Sequence, residues 1–158
     1  MSITVLHISA ALLSVLLGAV ILLARKGTPR HRHWGRMYGF ALLVMVVSSF
    51  FVTDIRTGWS VFHAVSVLTG VLVLCGWWQP VFGRSRAGWV RRHMLSMQLS
   101  YLVLIVTGTA QFFDYLPLPN DALNAIVFLQ LPLMVGIVAI IRRSRRPTGT
   151  YGSLPSSP

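Results

Sequence analysis

The sequence predicts an all-α, polytopic membrane protein: a four-helix bundle of transmembrane helices with a fifth helix added. Three observations predict it. Apolar residues make up 54% of the 158-residue chain and charged residues only 11%, where a soluble domain carries about 25% charged residues. The apolar residues gather into five runs, and a helix needs about 20 mostly apolar residues to cross a bilayer. The charges sit in short clusters between those runs, which is how membrane proteins distribute them. The same pattern excludes a soluble globular enzyme and a disordered chain. It also explains the net charge of +11 without a nucleic-acid partner. The single cysteine, Cys75, excludes an intramolecular disulfide. Three acidic residues leave almost nothing for paired-carboxylate chemistry.

Each run has its own boundary signals. The first, Ile3–Ala24, has no basic segment ahead of it and reads as a retained span rather than a signal peptide. The second, Tyr38–Thr53, is short. Thr28 as N-cap and Pro29 at the first helical position lengthen it upstream, so helix 2 starts in a basic loop and enters the membrane near Met37. The third and fourth, Ser60–Trp78 and Met94–Phe113, are continuous. The fifth, Ala122–Ile141, follows a turn marked by Pro117 and Pro119, takes its cap from Asn120-Asp121, and is expected to kink at Pro132. Residues 1–146 then form a single transmembrane helical domain. Residues 147–158 are Pro, Gly, Ser and Thr with one Tyr and one Leu, and are expected to be a disordered cytoplasmic tail.

Orientation follows from the cations. Arg25, Lys26, Arg30, Arg32 and Arg36 precede or open helix 2, Arg84, Arg86, Arg91 and Arg92 lie between helices 3 and 4, and Arg142, Arg143, Arg145 and Arg146 follow helix 5. All fall on one side, whereas Arg56, Asp54, Asp114 and Asp121 fall on the other. The positive-inside rule places the N-terminus outside and the C-terminus in the cytoplasm. Trp34, Trp59, Trp77, Trp78 and Trp89 fall at helix ends, where amphipathic rings favour the headgroup layer. The partners this implies are the lipid bilayer and, at the cytoplasmic face, anionic lipid. Arginine in place of lysine suggests a GC-rich genome and hence a bacterial plasma membrane.

Five histidines carry the chemical information. His7 and His63 lie one turn inside the outer ends of helices 1 and 3, and His31, His33 and His93 lie at the cytoplasmic ends of helices 2 and 4. A polar side chain within apolar sequence is costly and marks function by default; across helices it also serves as a hydrogen-bonding staple. His7, Ala11, Ser14 and Gly18 share one helical face, as do His63, Ser66, Val67 and Gly70. Small residues there allow close helix packing, and equally leave room for a flat macrocycle. His93, Met97 and Tyr101 form a stripe of the kind that usually packs helices. Neutral imidazoles without carboxylate or thiolate suit haem, zinc or copper. Two histidines facing each other in a bundle core suit haem b. The expected axial, metal-binding pair is therefore His7 and His63, with a second haem between His31 and His93. Arg56 outside, and Arg32, Arg36 and Arg92 inside, are the cations for propionates. The function expected is electron transfer with a redox partner or quinone. The alternatives are an accessory or assembly protein whose histidines only pack helices, a small metal or proton transporter, and a membrane metallohydrolase.

The stretch Lys26-Gly27-x-x-x-His31-Arg32-x-x-Gly35-Arg36, with His7 before it and His63 and His93-x-x-x-Met97 after it, resembles a bacterial family of predicted membrane proteins of unknown function. The resemblance covers about residues 3–115. It implies that His7, His31, Gly35, Arg36, His63 and His93 occupy the pattern's positions and that His33 does not. It brings no established activity. By architecture alone, the layout is also similar to b-type membrane cytochromes, which hold haems between histidines of a helix bundle.

The orientation has a direct test. A reporter that fluoresces only in the cytoplasm should be bright when fused after Arg146 and dark when fused between Asp114 and Asn120. The reverse pattern would exchange the two faces.

Overall fold

The computed structural model describes residues 2–52, 60–113 and 117–145, and among these it contains helices and no strand. The helices are α1 (Ile3–Leu23), α2 (Pro29–Ser49), α3 (Val61–Phe82), α4 (Trp89–Gln111), α5 (Asp121–Asn124) and α6 (Leu131–Arg145). A π-helical segment, Ala125–Gln130, joins α5 to α6 in one continuous coil. Among the described residues, four helical stretches are long and apolar enough to cross a membrane: α1, α3, α4 and Asp121–Arg142. α2 has the length, 21 residues, but not the composition. Its first eight residues hold Arg30, Arg32, Arg36, His31 and His33. The expected tail after Arg146 lies outside the described residues.

The helix ends follow local chemistry. Thr28 caps α2, its Oγ1 accepting from the His31 backbone N–H at 3.2 Å, with Pro29 at the first position, where its missing N–H costs nothing. At the end of α1 the Lys26 ammonium turns back onto the carbonyls of Ile21 and Leu22, satisfying acceptors that the helix leaves open. Gly27, at φ 80°, makes the reversal between the two helices. Asn120 caps α5, accepting from Ala122 N–H at 2.8 Å. The irregularity expected at Pro132 takes the form of the π segment just ahead of it. Proline removes one ladder bond and crowds the carbonyl four residues back, and a wider turn accommodates both.

α1 packs on α2, α2 on α3, α3 on α4 and α4 on α1, so the four close a ring with α1 and α3 on one diagonal. α6 packs against α4. At the centre, Leu42, Val73, Ser14 and Ser100 are fully enclosed. Among the described residues the buried hydroxyls are all satisfied. Ser14 donates to Ala10 O at 2.7 Å, and Ser100 donates to Met97 O at 2.9 Å. Tyr38 therefore donates to Ser100 Oγ, at 3.0 Å, and Tyr101 donates to Val15 O at 3.2 Å.

Glycines set how close the helices come. A methyl group at Gly18 of α1 would overlap the Tyr101 ring of α4, and one at Gly39 of α2 would overlap the Trp77 ring of α3. Gly76 of α3 receives Met97 of α4, and Gly136 of α6 receives Leu102 of α4. The room beside Gly18 is thus filled by a tyrosine and not left for a macrocycle. Gly39→Leu should therefore lower detergent-solubilised stability by about 1–3 kcal/mol, the usual cost of overpacking. Gly108→Leu, at an exposed position with nothing within 4 Å, should leave the thermal unfolding midpoint unchanged or raised. Equal effects of the two would mean that Gly39 does not set the α2–α3 approach.

Candidate functional site

The histidines divide by what their ring nitrogens do. At the end of the bundle where α1 begins, His7 Nδ1 lies 3.0 Å from Met45 O and 3.1 Å from Ser48 Oγ, both on α2. Ser48 spends its own hydrogen on Met45 O at 3.0 Å, and a carbonyl only accepts. His7 Nδ1 therefore carries the proton and Nε2 keeps a lone pair.

His63, at the same end of the bundle, is wired the opposite way. It is the third residue of α3, and its Nδ1 accepts from the Ser60 backbone N–H at 3.1 Å. This is the role glutamate or glutamine plays in a capping box. A backbone N–H only donates, so a neutral His63 holds its proton on Nε2. Its ring packs on Phe50 at the end of α2, centroids 5.6 Å apart. His7 and His63 thus both meet the last turns of α2, but through separate partners. Arg56, Asp54 and Trp59 lie outside the described residues.

At the basic end the structure brings two histidines together. The rings of His31 (α2) and His93 (α4) are 6.5 Å apart between centroids and perpendicular, at 89°. His93 Nδ1 donates to Gly76 O of α3 at 2.7 Å, which fixes the tautomer and leaves Nε2 with the lone pair. That is the arrangement in which metal-ligating histidines are usually held. His31 Nδ1 is buried and has no hydrogen-bond partner among the described residues. One turn on, Gly35 faces open space, with nothing within 4 Å of where a side chain would begin. Arg32, Arg36 and Arg92 are exposed around this end, and Arg92 Nε donates to Gln79 Oε1 at 3.1 Å. His33 is exposed and packs only on Trp34, at 5.8 Å. Among the described residues there is no cluster of three or more His, Cys, Asp or Glu that could enclose a metal. What the geometry offers is a pair of imidazoles, not a protein cage.

His31 lies in the first turn of α2, ahead of the apolar stretch that starts near Met37. Burial holds its pKa below the ordinary 6.5, and the neighbouring Lys26 and His93 push it the same way.

Helices with these lengths and compositions, carrying histidines at their ends, define a multi-pass membrane protein. The chain belongs to the predicted membrane protein family DUF2306, whose model matches residues 4–142. No curated protein and no solved structure matches it.

The lowered His31 pKa has a sign. A histidine that resists protonation in the folded state stabilises the fold above its unfolded value. That contribution is lost as pH falls through 6.5 towards the lower folded value. In the metal-free protein, a histidine NMR titration should find His31 protonating below the ordinary 6.5, and Lys26→Gln should move its midpoint upward. A His31 midpoint at or above 6.5 would contradict its burial.

Proposed function

We propose that the protein is a b-type, haem-binding electron-transfer protein of the bacterial plasma membrane. In this reading all five helical stretches cross the bilayer, α2 from near Met37, with the N-terminus outside and the basic end in the cytoplasm. His31 and His93 are the residues that would hold haem b. The observation that carries the reading is the geometry of that pair. Two imidazoles that share one metal need ring centres roughly 6 Å apart, given metal–nitrogen bonds of about 2.1 Å; these stand 6.5 Å apart.

The surroundings support the fit. His93 is oriented by the Gly76 carbonyl, and His31 presents a buried nitrogen without a partner. Gly35 keeps space beside it. Arg32, Arg36 and Arg92, exposed at this end, would offer charge-assisted bonds to propionates. When bound, haem would supply one-electron chemistry; the protein's part is to hold, orient and shield it. His31 is suited to this because burial and neighbouring Lys26 keep it neutral near pH 7. The outer pair supports the reading less. His7 has a lone pair free on Nε2, but His63 spends its Nδ1 lone pair on its own helix cap and holds its proton on Nε2.

One observation favours a second reading. His7 joins α1 to α2, and His93 joins α4 to α3, each through a backbone carbonyl. Histidines that do only this would make the chain an accessory membrane protein.

Absorbance separates the two. Protein expressed with ample haem should be red, with a Soret band that His31→Ala or His93→Ala abolishes or shifts and His33→Ala leaves alone. Gly35→Leu fits the space in the haem-free fold, so it should lose the band while keeping its helical circular dichroism. A colourless wild-type protein would leave the accessory reading standing.

A further inference from the structure

The last span carries a polar group where hydrocarbon surrounds it. Asp121–Arg142 is the least covered of the four apolar spans, with α6 packed on α4 and much of its surface turned outward. Gln130 lies within it, nine residues after Asp121 and twelve before Arg142. At 1.5 Å per residue that is about 14 Å from one end and about 18 Å from the other. The hydrocarbon layer is about 30 Å thick, so the amide sits near its middle. Gln130 is exposed, and its side chain makes no hydrogen bond within the described residues. It does not face the bundle. Gly136, which receives Leu102 of α4, lies six residues on, and at about 100° per residue that sets Gln130 about 120° away from the α4 contact.

Depth constrains what can pair with it. Lipid phosphates and esters stay at the bilayer surface, acyl chains carry neither donor nor acceptor, and the hydrocarbon core holds no water to take their place. A polar side chain on a neighbouring helix is the partner such an amide finds in a membrane, and it must lie at the same depth. A second copy of this chain, inserted in the same direction, meets that condition by symmetry. About a two-fold axis along the membrane normal, each residue stands level with its own counterpart. Glutamine is also self-complementary. Its NH2 donates and its carbonyl accepts, so two facing amides exchange a reciprocal pair of hydrogen bonds. The surface around Gln130 leaves room for this, since Ile126, Val127 and Met134, each about one turn away, are apolar and exposed.

We infer that the protein pairs with a second copy of itself in the membrane through the outward face of the Asp121–Arg142 span, the two Gln130 amides hydrogen-bonded to each other at its centre. This goes beyond the electron-transfer reading and does not rest on it, since neither His31 nor His93 lies on this span.

The test is self-association of the full-length chain in liposomes of phosphatidylcholine and phosphatidylglycerol, read as energy transfer between donor- and acceptor-labelled copies over a series of protein-to-lipid ratios. A dimer that dissociates on dilution with lipid is expected. Gln130→Leu should weaken it about three- to tenfold, the contribution of a hydrogen bond between helices in a bilayer, and Gln130→Asn, which keeps the amide, should weaken it less. Leucine at a lipid-facing position leaves the fold intact, which circular dichroism checks. A second readout locates the face. With Cys75 replaced by alanine, Met134→Cys should form a disulfide-linked dimer on mild oxidation. Leu12→Cys, as exposed on α1 and also nine residues into its span, should not. A chain that is monomeric at every ratio, a Gln130→Leu variant that associates like wild type, or cross-linking through Leu12→Cys as readily as through Met134→Cys overturns the inference. So does a purified chain that stays monomeric while Met134→Cys cross-links to a different protein in native membranes. Association is scored whatever the colour of the preparation. A colourless dimer sinks the haem reading alone, and a red monomer sinks the pairing alone.

Discussion

Close approach of helices at glycine governs this molecule. In a bilayer an apolar side chain gains little by leaving lipid for protein, so association rests on contact area and on hydrogen bonds. Gly18, Gly39, Gly76 and Gly136 each take a large side chain from a neighbouring helix, and three of those side chains, Tyr101, Met97 and Leu102, come from α4. α4 is therefore the helix on which the others are registered. Gly76 contributes twice. Its missing side chain admits Met97, and its carbonyl receives His93 Nδ1. Met97 and His93 are one turn apart on the same face, so one packing contact also sets the height and direction of the imidazole.

The histidines show how little residue type alone decides. His7 and His93 donate from Nδ1 to a carbonyl on another helix, whereas His63 accepts at Nδ1 from its own cap. The first two are left with a lone pair at Nε2 and the third with a proton there. The backbone group that each ring meets makes this difference.

Much of the architecture was legible in the sequence because it rests on local rules. Thr28-Pro29 announced the start of α2, and Asn120 the start of α5, through capping chemistry confined to a few residues. The stripe His93, Met97, Tyr101 announced a packing face, and Met97 and Tyr101 do fill glycine notches. What stayed hidden depends on the neighbouring helix. Helix ends already paired His31 with His93 on one side, but their spacing of 62 residues does not say that the rings stand 6.5 Å apart and perpendicular. No pattern points to the Gly76 carbonyl, since a backbone acceptor has no sequence signature. Two further signals do lie in the sequence. Ser60-x-x-His63 has the spacing of a capping box with histidine in the glutamate position. Gln130 is an amide within an apolar run, and polar residues in such runs ask for a partner.

The π segment at Ala125–Gln130 sets the aim of everything after it. An α-helix turns about 100° per residue, so a single residue gained or lost in that wider turn would leave the length of the stretch almost unchanged while swinging Ala139 and Arg142 about a quarter-turn around its axis. The ring of α1–α4 does not depend on that angle. Residues 125–130 are thus a place where relatives of this chain could re-aim the face of α6 that meets α4 by insertion or deletion alone, without repacking the bundle that carries the histidines.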